Sequence, residues 1–254
     1  MRYGFSLLAI ALLAASASTV VALPEEVSFA TRTETNSNLP IRGHMLKPEG
    51  QGPFPAIVFL HGHWGVLPDH FPRLRYYVDH GYVVLLIDSN SVKDSEGRRR
   101  QYAAGAYSDA DQAQDAHRAK EYLGSLHYVN PNRIGVVSWG GGALYAASRT
   151  PSLQNGVRFE VERSDAFAAA AAFYPDCVAE LISLDAPLLI LIGANDTDSS
   201  VSYCQKMKLI GHSERTFEVY VEPGAAHGFD WDSTATIQKS DDRVLTYFER
   251  YLRQ

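Results

Sequence analysis

Cysteine is nearly absent: Cys177 and Cys204 are the only two in 254 residues. No H-E-x-x-H pattern and no Cys/His ligand cluster occurs, so the sequence offers no metal site. Positive charge is not in excess either. The formal net charge is −6, which argues against nucleic acid or an anionic membrane as partner. Arg98-Arg99-Arg100 is a local basic run that reads as a solvated loop. Beyond the N-terminus no apolar run is long enough to span a bilayer, and there is no internal repeat or low-complexity segment.

What is present is a long chain, 46% hydrophobic, able to bury a large core. Residues 1–22 read as a secretory signal: Arg2, an apolar run from Phe5 to Ala15, then small residues. Ala15-Ser16-Ala17 and Val20-Val21-Ala22 are the two candidate cleavage sites. The expected location is therefore secreted or periplasmic. An exported protein with two cysteines most simply forms one disulfide, two buried free thiols being the alternative. A catalytic cysteine is disfavoured, because neither sits at a strand-to-helix turn.

Short apolar runs rich in β-branched residues predict buried strands at Ala56–Leu60, Tyr82–Asp88, Ile134–Val137, Ala168–Tyr174, Pro187–Ile192 and Thr216–Val221. Two early strands, Val27–Thr33 and Leu39–Met45, precede them. Helical spacing places helices around Leu74–Val78, from Ala110 to Leu126, and over a C-terminal face of Val244, Leu245, Phe248, Tyr251 and Leu252. Strands alternating with helices predict an α/β domain, a mostly parallel central sheet with helices on both faces. Two stretches have no periodic pattern: a polar loop over residues 89–108 and a mixed-charge insertion from Pro151 to Asp165.

The stretch Asn130 to Ala143 carries the chemistry. A buried strand, Ile134–Val137, runs through Ser138-Trp139-Gly140-Gly141-Gly142 into Ala-Leu-Tyr-Ala-Ala, the first turns of a helix. This is the context of a nucleophile elbow, a small-x-nucleophile-x-small turn whose tightness excludes side chains on its flanks. On that count Ser138 and Gly142 are the small residues and Gly140 stands at the nucleophile position, without a nucleophile. Ser138 is the alternative nucleophile, but its Cα lies roughly 6–7 Å back along the strand, too far for a base that must approach within about 3 Å. The glycines do not form a dinucleotide loop, which needs G-x-G-x-x-G near the first strand and an acid about 20 residues on, so no cofactor is expected.

Further along, Gly193-Ala194-Asn195-Asp196 and Pro223-Gly224-Ala225-Ala226-His227-Gly228-Phe229-Asp230 each follow a strand. The order nucleophile, acid, histidine makes His227 the candidate general base and Asp196 its orienting carboxylate, with Asp198 as alternative. A capped turn before the helix from Ser200 is the bland account of both acids. Asn195-Asp196-Thr197 also matches a glycosylation sequon, a coincidence if Asp196 is the acid. The oxyanion hole would take backbone N–H groups from Gly141 and from His63 or Trp64, in the His61-Gly62-His63-Trp64-Gly65 turn.

At these residues the chain resembles the dienelactone hydrolase family of α/β hydrolases over roughly residues 40 to 253. The resemblance rests on His61-Gly62, Asp88, Asn130-Pro131-Asn132-Arg133-Ile134-Gly135 and the two acid and histidine motifs, in order and at family spacing. It implies an α/β-hydrolase fold over residues 23–254, a Cys/Ser–Asp–His triad, attack on an ester or lactone carbonyl, and no cofactor. It also implies that Cys177 and Cys204 form the disulfide of secreted members. The family places Cys or Ser seven residues after the arginine at Arg133, and here that residue is Gly140. The glutamate that gates a cysteine nucleophile in well-known members would fall near Gly62, so such gating is not expected. The expected partner is a small-molecule ester or lactone, with activity weak or lost. The alternative from another class is a non-catalytic hydrolase-fold protein that binds a small carbonyl compound.

Overall fold

The computed structural model describes residues 23–33, 36–93, 108–148, 152–154, 157–159, 166–177, 181–182, 184–209 and 217–253. The signal segment, Arg98–Arg100 and most of the 89–108 loop lie outside them.

The sheet is built where the apolar runs lie. In chain order its strands are β1 (Glu25–Thr33), β2 (Asn36–Leu46), β3 (Phe54–Leu60), β4 (Val83–Asp88), β5 (Val129–Trp139) and β8 (Ala169–Phe173), then β10 (Leu188–Gly193) and β12 (Phe217–Glu222). They pair in the order β1-β2-β4-β3-β5-β8-β10-β12. β1, β2 and β4 are linked antiparallel, and every pairing from β4 to β12 is parallel. The central strands are buried on both faces, which is why they read as continuous apolar runs rather than alternating ones. The last strand, β12, is the sheet's edge and only half-buried.

The helices are α1 (His70–Asp79), α2 (Asp109–Gly124), α3 (Gly142–Ala147), α4 (Val201–Lys206) and α5 (Thr234–Leu252). α1 packs with α5, and α2 with α3, and each pair covers the central strands. α2 opens on a capping box, Ser108 and Asp111 each bonding the other's backbone N–H. Ser233 and Thr236 do the same for α5. The chain therefore has the mostly parallel α/β architecture that its strand and helix alternation predicts, and the α/β-hydrolase fold that the family resemblance implies.

Three features depart from the expectation. β5 begins at Val129, so Asn130-Pro131-Asn132-Arg133 is part of the strand rather than its approach. Within the irregular insertion, β6 (Ser152–Gln154) and β7 (Val157–Phe159) pair antiparallel. Two-residue strands β9 (Leu181–Ile182) and β11 (Lys208–Leu209) pair parallel outside the main sheet. No helix among the described residues is long and apolar enough to cross a membrane.

Cys177, just past β8, is bonded to Cys204 on α4, with Cα atoms 5.0 Å apart and a sequence separation of 27. The bridge ties together the loops either side of β10. Closing a loop of that length stabilises the fold by about 3–4 kcal/mol on the chain-entropy model. Denatured, unreduced protein should show no titratable thiol, and Cys204→Ser should lower unfolding free energy by about 3 kcal/mol in denaturant melts. Two free thiols per chain would contradict the bridge.

Candidate functional site

The sheet order reverses between β3 and β5, since β3 lies between β4 and β5. A crevice at the carboxyl ends of the strands at such a reversal is where open α/β sheets bind ligands. The turn after β3 (Gly62–Gly65), Gly140 after β5, Tyr174 after β8, Asp198 after β10 and His227 after β12 all line one cleft of about 680 Å³. A shallower depression of about 790 Å³ between β12 and α5 holds none of these strand-end residues.

The elbow is held by its own hydrogen bonds. Gly140 has φ +104°, a backbone that side-chain-bearing residues rarely adopt, and its N–H donates to Phe173 O at 2.9 Å. Ser138 is fully buried beneath the turn. Its hydroxyl donates to Gly140 O at 2.6 Å and accepts from Ala143 N at 2.9 Å, bracing the turn and the start of α3. Ser138 does not line the cleft, so the structure gives it a bracing position and not that of an alternative nucleophile.

The histidine and the acid meet. His227 Nδ1 lies 2.9 Å from Asp196 Oδ2 and 3.1 Å from Oδ1. A carboxylate only accepts, so Nδ1 carries the proton and Nε2 is left as the basic nitrogen. The Asp196 side chain is fully buried, and its Oδ1 also accepts from Asp198 N at 2.9 Å and Ser199 N at 2.7 Å. Those amides fix the carboxylate that fixes the imidazole. The alternative acid, Asp198, is exposed and supplies its backbone to Asp196 rather than its side chain to His227. His63, Trp64 and Gly141 border the same cleft, and Trp64 is 81% exposed at its mouth.

Several lining residues were not anticipated. Tyr174 has the one positive φ of a non-glycine among the described residues, +40°. Its ring packs 4.3 Å from that of His227, and its hydroxyl accepts from Trp231 Nε1 at 3.1 Å. His70 is buried at the start of α1, its Nδ1 accepting from Leu67 N at 2.8 Å, and its ring meets those of Trp139 and Trp231 edge-on. Burial pushes the His70 imidazole down to about 4, and the nearby His61 and Arg73 push the same way, against the Leu67 carbonyl oxygen, which lies 3.0 Å from Nδ1 and favours the protonated ring. Asp109, the first residue of α2, turns a buried carboxylate into the cleft beside Gly141. A Cβ on Gly141 would fall 2.2 Å from Asp109 Oδ2, whereas one on Gly140 would lie 3.8 Å from Oδ1. An Asp in a helix's first turn normally signals only a favourable dipole contact, so the sequence pattern hid it.

The dienelactone hydrolase family model matches residues 41–252. The chain belongs to the dienelactone hydrolase family. Solved structures with the same fold include a dienelactone hydrolase candidate from Klebsiella pneumoniae subsp. pneumoniae, 18% identical with a TM-score of 0.65, covering 91% of this chain and 100% of that one. Esterase 2 of Thermogutta terrifontis, phosphonylated by sarin, is 17% identical with a TM-score of 0.62, covering 94% and 98%. A dienelactone hydrolase-like promiscuous phosphotriesterase from metagenomic libraries is 14% identical with a TM-score of 0.63, covering 91% and 99%. At these identities the likeness concerns the fold alone.

Two outcomes follow from this family member's site. Ser138→Ala would leave the Gly140 carbonyl and Ala143 N–H without their partner, and should cost about 1–3 kcal/mol in denaturant melts. His70 has a folded pKa below the unfolded value of 6.5, so unfolded chains take up the proton first. Its contribution to stability is whole above about pH 6.5 and is lost as pH falls toward 4, on the order of 3 kcal/mol. Melts at pH 7 and 4.5 should show His70→Gln losing less stability on acidification than wild type. An equal loss would exclude His70 as the source.

Proposed function

We propose that this protein is a dienelactone hydrolase-like hydrolase of small ester or lactone carbonyls that works weakly, through an activated water rather than an acyl-enzyme. The observation that carries the reading is the His227–Asp196 couple at 2.9 Å, in a cleft shared with an elbow whose residue 140 is glycine. His227 Nε2 removes a proton from water as the water oxygen bonds to the carbonyl carbon. The carbonyl oxygen becomes an oxyanion beside the Gly141 and His63 or Trp64 amides. Its collapse expels the alcohol, which takes the proton back from His227. No cofactor enters this scheme. The Cys177–Cys204 bridge and the N-terminal sequence support an exported, secreted or periplasmic protein.

The missing side chain at residue 140 favours a second reading, a hydrolase-fold protein that binds a small carbonyl compound without turning it over. Turnover of short-chain p-nitrophenyl esters separates the two. Serine hydrolases stripped of triad members retain about 10³–10⁴-fold over water from the oxyanion hole and binding, so slow turnover with no product burst is expected. No serine-directed phosphonate should label the wild type at residue 140. Gly140→Ser should raise kcat/KM at least about 100-fold and restore labelling, since 3.8 Å to Asp109 Oδ1 leaves space for a side chain. The φ of +104° will cost that serine about 1–3 kcal/mol, so folding must be followed alongside. A well-folded Gly140→Ser protein inert on every short ester and lactone would give the binding reading the lead.

A further inference from the structure

We propose that the cleft takes uncharged esters that carry an aromatic ring, and that the Trp64 side chain is the face on which that ring stacks. The assignment rests on the hydrolytic reading above and names the substrate class of the same site. Tryptophan is highly buried on average, yet Trp64 is 81% exposed, and Leu67, three residues on, is 40% exposed. Among the described residues four large hydrophobic side chains are exposed, and these two both line the cleft of His227 and the elbow. Exposed apolar side chains gathered at a groove, rather than scattered singly, mark a surface that a ligand covers.

The backbone keeps both residues at the mouth. Gly65 N donates to Gly62 O at 3.1 Å, so His63 and Trp64 are the two central residues of a tight turn, which Gly65 leaves with φ +78°. Both central residues are exposed. Leu67 is tied to the start of α1, its N–H donating to His70 Nδ1 at 2.8 Å. Trp64 is also one of the two candidates for the second oxyanion-hole amide. An ester whose carbonyl oxygen rests at that amide has its substituents within reach of the ring on the same residue.

Deeper in, the cleft continues as aromatic carbon. Tyr174 and Trp231 line it together with His227. Trp231 Nε1 donates to the Tyr174 hydroxyl at 3.1 Å and Trp139 Nε1 to Asp230 at 2.9 Å, so the indole donors are used within the protein and the rings offer a ligand carbon. Charge narrows the class further. Asp109, Asp176 and Asp198 line the cleft, and among the described residues no lysine or arginine does. Arg73, whose guanidinium lies against the Trp139 and Trp231 rings, is 3% exposed and bonded to Asp230 and Asp241. A substrate bearing a free carboxylate would give up hydration here without gaining a cation.

Two pairs of esters with leaving alcohols of similar acidity test this: benzyl acetate against cyclohexylmethyl acetate, and methyl phenylacetate against methyl cyclohexylacetate. The wild type should favour the aromatic member of at least one pair. Trp64→Ala should lower that ratio of kcat/KM at least about threefold, the scale of a ring–ring contact beyond area burial, and Trp64→Phe should keep most of it. Partial unfolding would slow both members of a pair alike and leave the ratio where it was. 4-Carboxybenzyl acetate should be hydrolysed at least about tenfold more slowly than benzyl acetate. A ratio unmoved by Trp64→Ala, a Trp64→Phe loss as large as that of Trp64→Ala, or equal turnover of the carboxylated ester would each overturn the proposal. A wild type that hydrolyses none of these esters overturns the hydrolytic reading instead, and the ring site is then read by calorimetric titration with N-benzylacetamide, the amide counterpart of benzyl acetate. Binding weakened at least about fivefold by Trp64→Ala sustains the site, and binding that is absent or unchanged overturns it.

Discussion

One guanidinium holds this site to its scaffold. Arg73 of α1 donates to Asp230 at 2.5 Å and to Asp241 of α5 at 2.6, 3.0 and 3.2 Å, all three side chains being buried. Asp230 also accepts from Trp139 Nε1 at 2.9 Å, and Asp241 from the Tyr77 hydroxyl at 3.0 Å. The rings of Trp139, Phe173 and Trp231 lie about the guanidinium, their centroids 4.9, 5.2 and 4.7 Å from Cζ. Burial works against the Arg73 charge, but the two carboxylates outweigh it and hold the cation. Two carboxylates share that single cation, and burial keeps Asp241 above the usual carboxylate range. Breaking such a cluster by removing one partner costs about 3–5 kcal/mol, because the others stay buried and uncompensated.

The cluster matters for the cleft because of where its members sit. Trp139 is the last residue of the elbow strand, and Asp230 comes three residues after His227. Arg73 therefore fixes the distance between the turn and the histidine loop through buried, charge-assisted bonds. Asp196 is set separately, by amides of its own loop and with the disulfide close by on α4. The elbow is set a third way, by the Ser138 hydroxyl. None of these three supports passes through a side chain at residue 140.

The parts of the site that were legible in the sequence lie at strand ends. β-branched and leucine runs mark the strands, and the turns after them mark the cleft, so Gly140, Asp196 and His227 could be placed at strand ends, while their roles came from the family resemblance. Ser138 was legible as a small residue but not as a brace, because its partners are the backbone of a turn not yet built. Asp109 and His70 were hidden for another reason. Each sits in the first turn of a helix, where an acid or a histidine has an ordinary local account, and its contact lies some 30 or more residues away in sequence. Arg73 was hidden by composition: in Pro72-Arg73-Leu74-Arg75 it looks like its solvent-side neighbour, yet it is 3% exposed. The hairpin of β6 and β7 sits in a mixed-charge stretch with no alternation to announce it.

The independence of the three supports has an evolutionary reading. A protein that folds by Arg73, Ser138 and the Asp196 loop keeps its histidine and acid in register under selection for stability alone, whatever happens to its chemistry. For a glycine codon ending in a pyrimidine, serine is a single base change away, and at residue 140 the backbone already takes the turn. Gain or loss of a nucleophile at this elbow is then a one-step event that leaves the three supports in place, so descendants of one such gene can exchange glycine and serine at residue 140 without passing through an unfolded intermediate.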